Sequence, residues 1–307
     1  MTERLLLDGL LVAEKGEGVT SFQVVAHLRR VLRVPKIGHG GTLDPMATGV
    51  LPILLGAATK LTPFLQALDK EYVATVRLGV TTDTLDATGR VTAERPVPLL
   101  DPPAIRAVLD RFEGEINQIP PMFSALHAGG RRLHELARAG IEVVRAPRRV
   151  TIHRIDLLAW NPPLLTLRIA CGKGTYIRSL AADLGEALGC GARLDALQRT
   201  RIGGFSLGEA VPWPQIRQGD PAALRACVLP SDRAVLHLPP VRLSDRAVQR
   251  LVHGQRLPFG EAPAGVLGAC RLYVDDTFLG IGEASAGGLR ALRLLHAALP
   301  GTRSVSG

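Results

Sequence analysis

Aromatic residues are scarce in this chain, with three tyrosines, two tryptophans and seven phenylalanines among 307 residues, so each tyrosine outside an apolar run calls for a reason. The four cysteines, Cys171, Cys190, Cys227 and Cys270, are far apart and never form a C-x-x-C pair. That spacing excludes a zinc ribbon, a thioredoxin-type motif and a disulfide framework, and reads as reduced thiols in a cytoplasmic protein. The eight histidines show no metal-ligand spacing. No apolar run reaches membrane-spanning length; the longest, Pro45 to Thr59, is interrupted by Pro52 and Gly56. Glu3 and Asp8 in the first apolar segment, without a small-residue cleavage site, argue against a secretory signal.

Nucleotide-binding signatures are missing too. Gly38-x-Gly40-x-x-Leu43 and Gly172-x-Gly174-x-x-Ile177 both lack the last glycine of a dinucleotide fingerprint, and no P-loop occurs. His134-Glu135 opens like a zinc-protease helix but has Arg138 where the second histidine belongs. Asp83-Thr84-Leu85-Asp86 misplaces the carboxylates of an aspartyl-phosphate phosphatase. The residues alone leave a cofactor-free, metal-free enzyme or a non-enzymatic RNA binder.

Positive charge is plentiful. The net charge is +9 and the pI about 10.0, which favours a polyanionic partner such as nucleic acid. Lysine contributes only residues 15, 36, 60, 70 and 173, leaving 32 arginines, the side chain suited to forked phosphate contacts. Between Phe123 and Arg154 seven arginines face only Glu135 and Glu142. A charge run is ordinarily a solvated face, and a mobile RNA-binding flap over 123–154 is the functional alternative.

Hydrophobic periodicity predicts a strand over Leu5 to Ala13 and a helix capped by Thr20 or Ser21 and running to Leu32. It predicts helices over Ala57–Leu68, Pro103–Phe112, Gly129–Gly140 and Tyr176–Leu188, the last stopped by Gly189. Strands are expected over Tyr72–Leu78, Gly114–Ile119, Val150–Ala159 and Leu164–Cys171, with a polar loop from Thr81 to Gly89. Without regular β-α-β alternation this is an α+β arrangement. Irregular, proline-rich chain from Gly219 to Pro240 marks a domain boundary. Beyond it, a helix over Leu243–Leu251 and strands over Val266–Leu272, Phe278–Ile281 and Leu289–Leu295 make a small β-rich unit.

The string GHGGTLDPMATG, residues 38–49, presents one carboxylate, Asp44, among glycines and small residues. Glycine permits close approach of a bulky substrate, and Pro45 biases Asp44 toward extended backbone. Tyr72 follows Asp69-Lys70-Glu71, and Tyr176 and Arg178 sit in GKGTYIR at a helix start. A cation there opposes the helix dipole, which a carboxylate partner would offset.

Five blocks then make a specific pattern: GHGGTLDPMATGVLPILLGAATK, DKEYVATVRLGVTTDTLDATG, IPPMFSALHAGGRRLHELARAGIEV, GKGTYIRSLAADLGEALGCGA and LQRTRIGGF, in order over most of 36–205. The pattern resembles the TruB-type bacterial tRNA pseudouridine synthases. The resemblance implies isomerisation of the T-loop uridine, tRNA position 55, with the T-arm stem-loop as partner. It implies a mixed, largely antiparallel sheet flanked by helices, a catalytic domain over 1–232, and a PUA-like RNA-binding domain over 238–300. No cofactor, metal, membrane or obligate protein partner is expected, and the chain should act as a cytoplasmic monomer. Asp44 matches the nucleophile, Tyr72 the base-stacking and proton-handling tyrosine, and Arg178 the arginine paired with the aspartate. His39, Tyr176 and Leu197 match substrate contacts, and Lys15 a lysine of the first block. Departures are Gly16 where proline is usual and His127 where lysine is common. Whether Asp44 attacks the sugar or the ring stays open. So do a tRNA-refolding role and a guide-RNA-dependent relative.

Overall fold

The computed structural model describes residues 7–295 apart from 125–126, 129, 139, 142 and 259–265. For 127–128, 131–132, 134 and 137–138 it describes the backbone only. The expected strand from Leu5 begins outside these residues, and the side chains of His127, Arg131, Arg132 and Arg138 lie outside them as well.

The chain opens with β1 (Gly9–Lys15), α1 (Ser21–Leu32), β2 (Ile37–His39) and β3 (Thr48–Leu55). After α2 (Thr62–Gln66) come β4 (Lys70–Leu78), β5 (Val80–Thr82), β6 (Val91–Glu94), α3 (Pro102–Asp110) and β7 (Gly114–Gln118). The basic segment holds β8 (His127–Ala128), β9 (Arg131–Arg132) and α4 (Leu133–Arg138). Then follow β10 (Arg148–Asn161), β11 (Leu164–Cys171), α5 (Ile177–Ala187), β12 (Ala192–Ile202), β13 (Phe205–Ser206), β14 (Val211–Pro212), α6 (Trp213–Gln218) and α7 (Pro221–Ala226). The C-terminal unit has β15 (Pro240–Arg242), α8 (Asp245–Val252), β16 (Gly268–Val274), β17 (Thr277–Ser285) and β18 (Gly288–Leu294).

The main sheet runs β14-β1-β3-β12-β4-β11-β10-β7, with β2 added on β3 and β13 on β12. Only β1–β14 and β3–β12 are parallel, so the sheet is mixed and largely antiparallel, as the resemblance implies. Alternation is clear in β4, where Lys70, Tyr72, Ala74, Val76 and Leu78 turn to the buried side. Helix α1 begins with a capping box: the Thr20 hydroxyl accepts the Gln23 N–H, and the Gln23 side chain accepts from the Thr20 N–H.

Each face of the sheet has its own core. On one side α1, α3 and α5 contribute Val24, Leu28, Ile105, Leu109, Leu180 and Leu184 to a cluster with Leu51, Ile53 and Val76. The opposite side of β1 and β3 offers Leu10, Val12, Val50 and Leu54, which pack with Leu61, Leu65, Ile281 and Leu295. The C-terminal unit therefore closes the back of the main sheet. Lys60 fastens that contact by donating to the Leu294 and Leu295 carbonyls at 2.7 and 2.9 Å. A third cluster, including Val241, Leu251, Leu272 and Leu289, belongs to the C-terminal unit alone.

Several expected elements differ. The helix over Ala57–Leu68 is a 3-10 turn, Gly56–Leu61, followed by α2, because Pro63 lacks the N–H that a continuous helix would use. The helix over Gly129–Gly140 shortens to α4. The polar loop from Thr81 contains the end of β5, and the irregular 219–240 stretch contains α7 and a 3-10 turn, Ser231–Val235. The long strand β12 has no counterpart in the periodicity. Its alternation is interrupted by register shifts between Leu194 and Ala196 and between Arg199 and Arg201, and one of its inward residues is an arginine.

Candidate active site

The loop between β2 and β3 is secured almost residue by residue. Gly40 N–H donates to Pro52 O, and Ala47 N–H to Asp44 O. The Ser21 hydroxyl at the start of α1 accepts the Leu43 N–H at 3.0 Å and donates to the Leu43 carbonyl at 3.2 Å. Arg199 donates to Val50 O at 2.7 Å and Gly41 O at 3.0 Å, with a longer contact to Thr42 O. Lys15 donates to Pro45 O at 3.1 Å, and also to Gly16 O and Val19 O. Gly18 N–H meets Pro45 O as well. At Gly49 the backbone has φ 106, and an added Cβ would lie 2.2 Å from Arg199 O, so only glycine lets β3 and β12 meet here. These restraints hold one side chain, Asp44, 36% exposed at the mouth of the site.

Arg178 lies against it. Its Nε is 2.9 Å from Asp44 Oδ2, an ion pair whose N–H points off the hydrogen-bond line. The guanidinium is 5% exposed and spends its other donors on Thr84 O at 3.0 Å and Phe123 O at 2.7 Å. Asp86 Oδ2 approaches Nη1 to 3.6 Å. Asp86 is buried, and its Oδ1 accepts from the Thr84 hydroxyl, the Thr88 N–H and the Thr88 hydroxyl at 2.7, 3.0 and 2.6 Å. Two carboxylates therefore flank one guanidinium, and the expected partner of Arg178 at the start of α5 is Asp44. The phosphatase motif gives no role to Asp86; the threonines on both sides of it, which satisfy a buried carboxylate, are the signal in the sequence.

Tyr72 on β4 and Arg199 on β12 are register partners, so they share the inner face. The Arg199 guanidinium lies beside the Tyr72 hydroxyl. Burial raises the Tyr72 pKa, and the Arg199 charge opposes that rise. Burial lowers the pKa of Arg199 itself, with Tyr72 opposing. Arg199 is 1% exposed and has no ion pair among the described residues; carbonyls and a phenol satisfy it instead. Sequence alone does not single it out, although it lies in LQRTRIGGF, since an arginine between polar neighbours looks like a surface residue.

The remaining expected residues fall around this pair. Leu197 is the register partner of Ala74, two residues from Tyr72 on the same face, and is nearly buried. Tyr176 is the N-cap of α5, where Gln118 at the end of β7 holds its backbone N–H at 2.8 Å and its carbonyl at 3.0 Å. Burial raises the Tyr176 pKa; the nearby Ser124 hydroxyl and the charges of Arg148 and Arg178 oppose that rise, and Asp44 adds to it. His39, at the end of β2, has its pKa lowered by burial and by Arg199, and its Nδ1 is buried without a partner among the described residues. Lys15 is fully buried beneath the loop, and its ammonium is taken up by the Gly16, Val19 and Pro45 carbonyls, so it holds the loop at Pro45. Burial lowers its pKa to about 8 against the pull of Asp44. Among the described residues no group of histidine, cysteine, aspartate and glutamate is arranged to hold a metal ion.

The fold and this site define a class, and the chain belongs to the TruB family of pseudouridine synthases. The family's N-terminal domain matches residues 29–177, the tRNA pseudouridylate synthase B C-terminal domain matches 178–236, and a second TruB C-terminal domain matches 239–295. Among its relatives is the tRNA pseudouridine synthase B of Azoarcus sp. (strain BH72), 47% identical over 293 residues, covering 95% of this chain and 96% of that one. That of Pseudomonas aeruginosa (strain UCBPP-PA14) is 43% identical over 298 residues, covering 95% and 97%. A chain from a Cbf5-Nop10-Gar1 complex superposes with a TM-score of 0.75 at 28% identity, covering 95% of this chain and 86% of that chain.

Proposed function

We propose that this enzyme converts the uridine at position 55 of the tRNA T-loop into pseudouridine, with Asp44 as its nucleophile. The observation that carries the reading is the ion pair of a clamped, solvent-reaching Asp44 with the buried Arg178, beside a tyrosine on the sheet. The N1–C1′ bond breaks, the uracil turns, C5 joins C1′, and the proton from C5 is replaced by one on N1. Bonds made balance bonds broken, so no external reactant is consumed.

The target base must leave its stack, at a cost of a few kcal/mol. Tyr72 as floor and Leu197 as wall recover roughly 1–3 kcal/mol by stacking and contact. His39 fills the gap left in the RNA, and Tyr176 borders the flipped nucleotide. Arg178 keeps Asp44 aimed, and Asp86 with the Thr84 and Phe123 carbonyls keeps Arg178 in place. The Tyr72 hydroxyl, held by Arg199, moves the C5 proton. The catalytic domain spans 1–232, its 123–154 segment closes over the T-arm, and 238–300 is a PUA-like RNA-binding domain. The chain works in the cytoplasm as a monomer without an obligate protein partner.

The test is tritium release from tRNA carrying 5-tritiated uridine. Asp44→Asn should lower turnover by at least about 1,000-fold while tRNA still binds. Pseudouridine formation by that variant at even a tenth of the normal rate would overturn the assignment.

A further inference from the structure

The C-terminal half of α1, the chain just beyond it, and the two short helices α6 and α7 carry six exposed cations: Arg29, Arg30, Arg33, Lys36, Arg217 and Arg225. No Asp or Glu occurs between Thr20 and Leu43, and Asp220 is the only one from Val211 to Val228. Its carboxylate is occupied with the Ala222 N–H at the start of α7. Three contacts gather the segments on one surface. His27 on α1 meets Ile216 O at 2.9 Å, Arg225 Nη2 donates to Leu32 O at 3.1 Å, and Gly219 lies against Val31 and His27.

Helix dipoles account for part of this. Arg29, Arg30, Arg217 and Arg225 occupy last turns, where a cation gains about 0.3–1 kcal/mol. Their heads are mostly unspent. Arg29 reaches Ile37 O only at 3.5 Å and Arg30 touches His27 Nδ1 at 3.3 Å. The side chains of Arg33, Lys36 and Arg217 have no ion-pair or hydrogen-bond partner among the described residues. Arg33 also stands at φ 55, where the α1 C-cap is left-handed; glycine or asparagine is the cheap residue there. Clustered like charges repel in the isolated chain, and a polyanion would relieve them.

We propose that this face is a second RNA-contacting surface, which takes the phosphate backbone of tRNA outside the stem-loop that delivers the target uridine. The proposal rests on the tRNA reading above. Ser21 at the head of α1 clamps Leu43, and the rise of a helix places the far end of α1 about 18 Å from there. That is beyond the flipped nucleotide and its neighbours but well within a folded RNA. Arginine forks recognise phosphate without regard to sequence. The one large exposed apolar residue on these helices is Phe22, in the first turn of α1 and away from the cations; none lies in 23–36 or 213–228, so the arginine-bearing part of the surface lacks the clustered anchors of a protein interface or a membrane-binding helix.

The variant combines Arg30→Gln, Arg33→Asn, Lys36→Gln and Arg217→Gln; asparagine tolerates the left-handed cap. Binding and tritium release are measured on full-length tRNA and on the isolated T-arm hairpin. Hairpin conversion should match wild type, which also reports an intact fold, while the Kd for full-length tRNA rises tenfold or more. The slope of log K against log salt should become shallower by roughly 0.7–0.9 for each phosphate that is no longer neutralised. Lys36→Glu alone should move affinity in the same direction. Unchanged affinity for full-length tRNA, or an equal loss on both substrates, would overturn the second surface. A wild-type chain that converts neither substrate would overturn the tRNA reading instead.

Discussion

Two buried arginines border this site, and the protein neutralises them differently. Arg178, from α5, sits between the carboxylates of Asp44 and Asp86. Arg199, from β12, donates to backbone carbonyls, lies beside Tyr72 and has no ion pair among the described residues. A guanidinium between carboxylates holds charge where the reaction needs it, and replacing it disturbs chemistry first. One surrounded by carbonyls holds backbone in place, and replacing it leaves several buried acceptors unsatisfied. On the mechanism proposed above, the neighbouring side chains give one arginine to reactivity and the other to architecture.

The sharpest way to break that contrast is Arg178→Lys. A single ammonium cannot serve Asp44, Asp86 and two carbonyls together, so kcat should fall by roughly 100-fold or more, with a loss of stability smaller than that at Arg199. Near-normal turnover would show that the Asp44 pair is dispensable. Arg199→Lys should do the reverse. Its main effect should be a stability loss of about 2–4 kcal/mol in urea unfolding, from carbonyls and a phenol left unsatisfied, with a smaller fall in kcat as the loop loosens. If Arg178→Lys proved the more destabilising of the two, the division of labour would be wrong.

A finer test uses the buried lysines. Lys15 and Lys70 both have pKa values lowered to about 8 by burial. The folded form thus releases these protons before the unfolded chain does, and unfolding takes up protons between about pH 8 and 10.5. Stability contributed by each lysine rises with pH through that window, and below it the full penalty for burying an ammonium applies. The difference in unfolding free energy between wild type and Lys15→Met should therefore grow from pH 8 to 10.5. A flat difference would mean that burial does not lower the Lys15 pKa and that the folded form keeps this proton through the window.

The elements legible in the sequence carry their signals locally. The Thr20–Gln23 capping box, the alternation of β4 and the glycine after α5 all act within a few residues. Asp44, Tyr72 and Arg178 stand out through the family resemblance, and the ion pair also answers the misplaced helix-start cation. What sequence reading misses is set by distant chain. Strand β12 hides behind two register shifts and an inward arginine, and Arg199 is explained only by carbonyls roughly 150 residues earlier. Asp86 fails the motif for one chemistry while serving another. Lys15 is expected at the substrate because it matches a lysine of the family's first block, and its complete enclosure by the loop it supports has no signal in the sequence.

The apolar contact behind β1 and β3 has a practical consequence for anyone trimming this enzyme to a minimal catalyst. A chain ending near residue 236 would bare the greasy back of the very strand that leads out of the reactive loop, including Val50 and Leu54, and leave Lys60 without its two acceptors. Truncation would then yield aggregates whose inactivity says nothing about RNA recognition by the missing part. Repainting that surface with polar side chains has to come before any shortened version is asked what the tail contributes.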